Sequence, residues 1–113
     1  MIQIFGTKKC KDTQKAERFF KERKIDYQFR DLTEKGVSKK ELDNFLQFYT
    51  LDELIDKEGK QYKKRNLHYI LHNIENELLE DPLLFKTPIV RLGRKVVLGY
   101  NIDSWSAFAS DED

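Results

Sequence analysis

Cysteine is almost absent from this chain. One residue, Cys10, among 113 excludes an internal disulfide and, with it, a stapled secreted scaffold. Proline and glycine are scarce as well, with two and five residues, and no Gly/Ser/Pro-rich linker, repeat or low-complexity block interrupts the chain. An excess of one charge is also missing. The 21 Lys and Arg stand against 20 Asp and Glu, which gives no electrostatic reason to expect direct nucleic-acid binding. No apolar run approaches a signal-peptide core or a membrane span. A reducing cytoplasm is the expected compartment, with no membrane attachment. What is present suffices to fold. Hydrophobic residues make up 39% and aromatics 12%, enough for one modest core in a single domain over residues 1–113.

The chain alternates between strand and helix signals. Met1-Ile2-Gln3-Ile4-Phe5 is a short apolar run ending at Gly6-Thr7, which reads as a buried strand. A helix is expected from about Asp12 to Lys24, with Ala16, Phe19, Phe20 and Arg23 on one side. Tyr27 to Asp31 alternates as a second strand should. Strand, helix, strand is a βαβ unit, which requires a parallel pair. The middle, about 38–81, reads as a helical insert. Ser38-x-x-Glu41 and Thr50-x-x-Glu53 are capping boxes, the first opening a helix with Leu42, Phe45, Leu46 and Tyr49 at helical spacing. A longer helix is expected from about Asn66 to Glu80, on the stripe Leu67, Ile70, Leu71, Ile74 and Leu78. Pro88 to Leu92 and Lys95 to Leu98 are β-branched runs around Gly93-Arg94, which suits a type II′ hairpin and an antiparallel pair. Asn101 caps a closing helix with Asp103 in its first turn, and Ser110-Asp111-Glu112-Asp113 reads as a frayed acidic tail. The order βαβ, helical insert, ββα is that of a thioredoxin-like α/β fold, a four-stranded mixed sheet with a helical insertion before strand three.

Cys10 falls between the first strand and the first helix, in Thr7-Lys8-Lys9-Cys10-Lys11-Asp12-Thr13. A helix start offers free N–H groups and a positive dipole end, which favour a thiolate. Lys8, Lys9 and Lys11 add positive charge, and such surroundings lower a cysteine pKa. Thr13, three residues on, has a hydroxyl able to hydrogen-bond a thiolate but unable to close a disulfide. Other features weigh less. His68 and His72 have the i, i+4 spacing of metal ligands but no third partner, so no metal is expected. The run Lys60, Lys63, Lys64 and Arg65 reads as a solvated face able to receive an anion such as glutathione. Tyr27, Phe29, Phe45, Phe48 and Tyr49 read as core packing.

Two segments carry a family resemblance. GTKKCKDTQKAERFFKERKIDYQFRD, beginning at Gly6, resembles the amino-terminal half of the arsenate-reductase-like family, which includes the Spx transcription regulators. KTPIVRLGRKVVLGYN, from Lys86 to Asn101, resembles that family's proline-strand-hairpin region. The resemblance implies that Cys10 is a nucleophile and that the Thr87-Pro88 bond is cis and lies beside it. It also marks departures. Glu58, Thr87 and Gly99 stand where arsenate reductases of this type carry oxyanion-binding arginines, and none of Lys57, Lys60, Arg91 and Arg94 falls on the motif. Without guanidinium forks, arsenate capture should be severely weakened. Thr13 replaces the second cysteine of the Spx redox switch.

The expected activity is that of a monothiol oxidoreductase resolved by glutathione or another small thiol, or by a glutaredoxin, with glutathione as co-substrate and no bound cofactor. Candidate catalytic residues are Cys10 and Thr13. Candidate substrate-binding residues are Thr7, Lys8, Lys9, Lys11, Thr87 and Pro88. The alternative is a non-catalytic Spx-like module docking a protein partner such as RNA polymerase. A monomer is expected.

Overall fold

The computed structural model describes residues 1–67 and 73–112. The chain divides into two compact units, Met1–Asp31 with Thr87–Asp113, and Leu32–Lys86. The first unit holds the sheet. Strands β1 (Ile2–Gly6), β2 (Tyr27–Asp31), β3 (Ile89–Leu92) and β4 (Lys95–Leu98) lie in the order β2-β1-β3-β4. β1 pairs with β2 in parallel, Ile4 opposite Phe29, and with β3 antiparallel, Phe5 opposite Ile89. β3 and β4 form the antiparallel hairpin expected at Gly93-Arg94. Gly93 has φ +61 while Arg94 keeps a negative φ, as a type II′ turn requires. This is the thioredoxin-like arrangement, with the helices of residues 32–86 inserted between β2 and β3 in chain order.

Period-two alternation decides which side chains meet. Ile2, Ile4, Val90 and Val97 line one sheet face and pack with Ala16, Phe19 and Phe20 of helix α1 (Lys11–Glu22) and with Trp105 and Phe108 near the C-terminus. Truncating one of these buried aromatics to alanine would cost about 3–5 kcal/mol. α1 ends where Lys24 adopts φ 57. The Lys24 N–H reaches the Lys21 carbonyl and the Ile25 N–H reaches that of Phe20, both at 3.0 Å. This is a Schellman closure that returns Ile25 to the core. Helix α6 (Ile102–Glu112) starts as expected, the Ser104 N–H donating to Asn101 Oδ1 at 3.0 Å.

The second unit is helical. Both capping boxes form, Ser38 with Glu41 opening α2 (Lys39–Phe45) and Thr50 with Glu53 opening α3 (Leu51–Leu54). The expected continuous helix over 66–80 does not form. α4 (Lys60–Lys64) closes at Asn66, whose φ is 53, and α5 (Ile74–Glu80) opens at Asn73, whose side chain accepts from the Asn76 N–H. Asparagine takes the left-handed conformation readily and caps helices well, so a helix that includes both residues is interrupted at each. His68, Ile70, Leu71 and His72 lie outside the described residues. Arg65, expected on a solvated basic face, is half-buried and pairs with Glu77 and with Asp81 at 3.0 Å. Phe48, expected in the core, is 49% exposed. Among the described residues no helix is long and apolar enough to cross a membrane.

Candidate functional site

The site assembles where β1 ends beside the start of β3. After Gly6 the chain turns through Thr7 to Cys10, whose N–H donates to the Thr7 carbonyl at 3.2 Å. Cys10 is the N-cap of α1 with extended φ −75 and ψ 117, and its carbonyl accepts the first helical bond from Gln14 at 3.0 Å. Gln14 also fastens the turn from outside, Nε2 donating to the Lys8 carbonyl at 2.6 Å. Beneath the turn the Thr13 side chain packs onto Gly6. A Cβ at Gly6 would fall 2.4 Å from Thr13 Oγ1, so only glycine leaves that space.

From the other side comes Thr87, in the cis Thr87-Pro88 unit. Because Phe5 pairs with Ile89, the residues just before β3 are set beside those just after β1. Thr87 Oγ1 donates to Cys10 Sγ at 3.1 Å, and Sγ lies 3.7 Å from the Thr87 carbonyl oxygen. A thiol can donate weakly to that carbonyl, and a thiolate accepts from the hydroxyl, so Thr87 serves both protonation states. The Pro88 carbonyl is taken by the Gly99 N–H at 2.7 Å.

The electrostatics favour the thiolate. Burial pushes the Cys10 thiol up, but the nearby Thr13 hydroxyl, the bond donated by the Thr87 hydroxyl and the Thr13 and Asp12 backbone N–H groups outweigh it, leaving the pKa below its ordinary value. Thr13 Oγ1 is buried and has no acceptor within ordinary hydrogen-bond geometry. Its influence on the sulfur is therefore that of a hydroxyl dipole close at hand, and Thr87 makes the formed bond. The lysines expected to supply the lowering do not lead it. Lys8, Lys9 and Lys11 are exposed, and charges in water act weakly at a distance.

The structure thus brings Cys10, Thr13, Thr87 and Pro88 together at one point, with Thr7 in the same turn. Lys8, Lys9 and Lys11 ring the turn in solvent. Thr87, a candidate substrate-binding residue, has its hydroxyl and carbonyl engaged by Cys10. The residues considered as stand-ins for oxyanion-binding arginines are partly committed elsewhere. Arg91 Nε donates to Gln3 Oε1 at 2.8 Å, and its guanidinium lies 5.4 Å from the Phe5 ring. Lys57 pairs with Asp52. Gly99 has φ +81, a conformation that an arginine there would strain. Sequence reasoning missed Gly6 as the floor under Thr13, and missed the Thr87 hydroxyl as a donor. Its one usable signal was the glycine ending an apolar strand just before the cysteine. Among the described residues no cluster of His, Cys, Asp and Glu could hold a metal ion.

The chain is similar to known proteins along most of its length. The chain is 25% identical to the global transcriptional regulator Spx of Staphylococcus aureus, across 96% of this chain and 86% of that protein. Its fold superposes on the YffB protein with a TM-score of 0.81 at 21% identity, covering 95% of this chain and 97% of that one. It superposes on an arsenate reductase from Vibrio cholerae with a TM-score of 0.77 at 19% identity, covering 94% and 95%. At these identities the structural matches speak for the fold alone. The family assignment rests on a match to the ArsC family over residues 5–108. With nearly the whole chain matched and the cysteine at the strand-to-helix turn beside a cis-proline, this protein belongs to the ArsC family.

Proposed function

We propose that this protein is a monothiol oxidoreductase in which Cys10 is the nucleophile. The observation that carries the reading is the half-buried Cys10 Sγ at the N-cap of α1, hydrogen-bonded by Thr87 and favoured as thiolate. The thiolate attacks one sulfur of a substrate disulfide. A Cys10–S–S–R bond forms, the substrate S–S bond breaks, and the other half leaves as a thiolate that takes a proton from water. No second cysteine exists to close an internal disulfide, so an external thiol completes the cycle. A glutathione thiolate, or that of a glutaredoxin, attacks the mixed disulfide, releases Cys10 as thiolate and carries away the R group. A second external thiol then exchanges with that R-bearing disulfide and frees R as a thiol, so two external thiols end joined in one disulfide and the substrate disulfide is reduced by two electrons. Thr87 and the α1 amides hold the sulfur anion in both halves of the cycle.

A second reading has its own support. The relatives at 25% identity are named as global transcriptional regulators, and Thr13 stands where a second redox cysteine would be needed. This favours a binding module that docks a protein partner such as RNA polymerase without thiol chemistry. One measurement separates the two. The rate of Cys10 alkylation is followed from pH 5 to 10, with Cys10→Ser as the blank. A midpoint well below the free-cysteine value of about 8.5 supports the oxidoreductase. A thiol that reacts no faster than free cysteine at any pH supports the binding module.

A further inference from the structure

A second feature of the first unit lies away from Cys10. Between the outer face of α1 and the start of α6 is an open cleft of about 320 Å³. Its floor is apolar, formed by Phe19 and by Trp105, the only tryptophan in the chain. Its rim carries Tyr100 and Ile102, 50% and 43% exposed. Large apolar side chains left in water, on a chain in which 36% of the residues are charged, mark an interaction site when they gather around a depression. Trp105 is fully buried and packs edge-on against the Tyr100 ring, 5.1 Å between centres, which ties the exposed Tyr100 to the floor of the cleft.

The charge around the cleft selects the partner. Lys15, Arg18 and Arg23 line it against a single Glu22, an excess of positive charge on a chain whose net charge is only +1. The cations are held in place by the aromatic rings. Lys15 Nζ sits 5.2 Å from the Tyr100 ring centre, and the Arg23 guanidinium sits 3.6 Å from that of Phe19. Arg23 uses one donor on the Phe19 carbonyl at 3.1 Å, which leaves other N–H groups of its fork for a ligand. Lys15 also lies 3.6 Å from Asp12, an exposed pairing of little strength. The cleft is too shallow and open to enclose a metabolite, and its size suits one anchoring side chain on a longer segment. Aromatic and arginine side chains around such a pocket are what protein interfaces favour.

We propose that this cleft docks an acidic peptide segment of a partner protein, which inserts one apolar side chain over Phe19 and Trp105 and sets its carboxylates against Lys15, Arg18 and Arg23. The site is independent of the Cys10 chemistry. Trp105 lines the cleft from beneath, in edge contact with the exposed Tyr100, and its emission reports occupancy. The full chain carrying Cys10→Ser is titrated with the peptide Ac-Glu-Asp-Phe-Asp-Glu-NH2 while tryptophan emission is followed. A saturable change is expected, weakened at least tenfold by Lys15→Glu with Arg18→Glu. The control pair Lys40→Glu with Lys64→Glu, which belongs to the second unit and is equal in charge, should weaken binding less than twofold. The phenylalanine-to-alanine peptide should bind at least fivefold more weakly. No saturable change at millimolar peptide, equal loss in both charge-reversed pairs, or equal binding of Ac-Lys-Lys-Phe-Lys-Lys-NH2 would overturn the proposal. A concentration-dependent emission change without peptide would assign the cleft to a second copy of this chain and overturn it equally. Because the titration uses Cys10→Ser, its result does not depend on whether Cys10 is a nucleophile.

Discussion

Gly6 closes β1 directly over the buried side chain of Thr13, and a single methyl group there tests the packing that positions Cys10. An alanine Cβ at Gly6 would stand 2.4 Å from Thr13 Oγ1 and 2.6 Å from its Cγ2. Thr13 is only 1% exposed and sits in the first turn of α1, where a β-branched side chain has few rotamers to move into. Overpacking of this kind costs about 1–3 kcal/mol. With an unfolding entropy of about 2.1 cal/mol/K per residue, the loss in Tm is about 4–12 °C for a chain of this size. Thr13→Ala removes both clashing atoms and leaves only Cβ, at 3.1 Å. The double variant Gly6→Ala with Thr13→Ala should therefore recover much of the loss, with a coupling energy of about 1–2 kcal/mol. Thermal unfolding of the wild type, both single variants and the double, followed by circular dichroism at one pH, gives the full cycle. Strictly additive losses, or a Gly6→Ala protein melting within about 1 °C of the wild type, would refute the reasoning.

Thr87→Val removes the hydroxyl that donates to Cys10 Sγ at 3.1 Å, so the pH midpoint of Cys10 alkylation should rise. An unmoved midpoint would deny Thr87 its role. The lowered thiol pKa also links stability to pH. Between the folded pKa and the unfolded value of about 8.5, the unfolded chain holds the extra proton, so the thiolate's contribution is fully present above the unfolded value and is lost as pH falls through the folded pKa. The stability of the wild type relative to Cys10→Ser should accordingly grow as pH rises through that window, and denaturant unfolding at several pH values would expose a constant or shrinking difference. With Glu58, Thr87 and Gly99 at the arginine positions, no appreciable arsenate reduction is expected in a coupled glutathione and glutaredoxin assay. Robust turnover would mean that other cations bind the oxyanion. Asn101→Ala deletes the acceptor for the Ser104 N–H and should cost about 1 kcal/mol, read as a shift of the denaturant midpoint at unchanged slope.

The amino-acid sequence determined by itself what depends on neighbours along the chain. A short apolar run set β1, alternation set β2, Gly93-Arg94 set the hairpin, and Ser38, Thr50 and Asn101 set three helix starts, because each device acts within about four residues. The position of Cys10 at a helix start was legible for the same reason. The helix expected over 66–80 shows where that logic needs more care, since Asn66 and Asn73 carried the local stop and start signals against the apolar stripe. Tertiary structure alone decided the rest. Cys10 and Thr87 are 77 positions apart, and their contact exists because β3 joins the sheet beside β1. Whether burial or hydrogen bonding would win at the thiol depended on the Thr87 hydroxyl meeting the sulfur, which no spacing encodes. The Trp105 indole, buried edge-on against Tyr100, likewise became visible only when α1 and α6 packed together, because burial is a property of the assembled core and not of any segment.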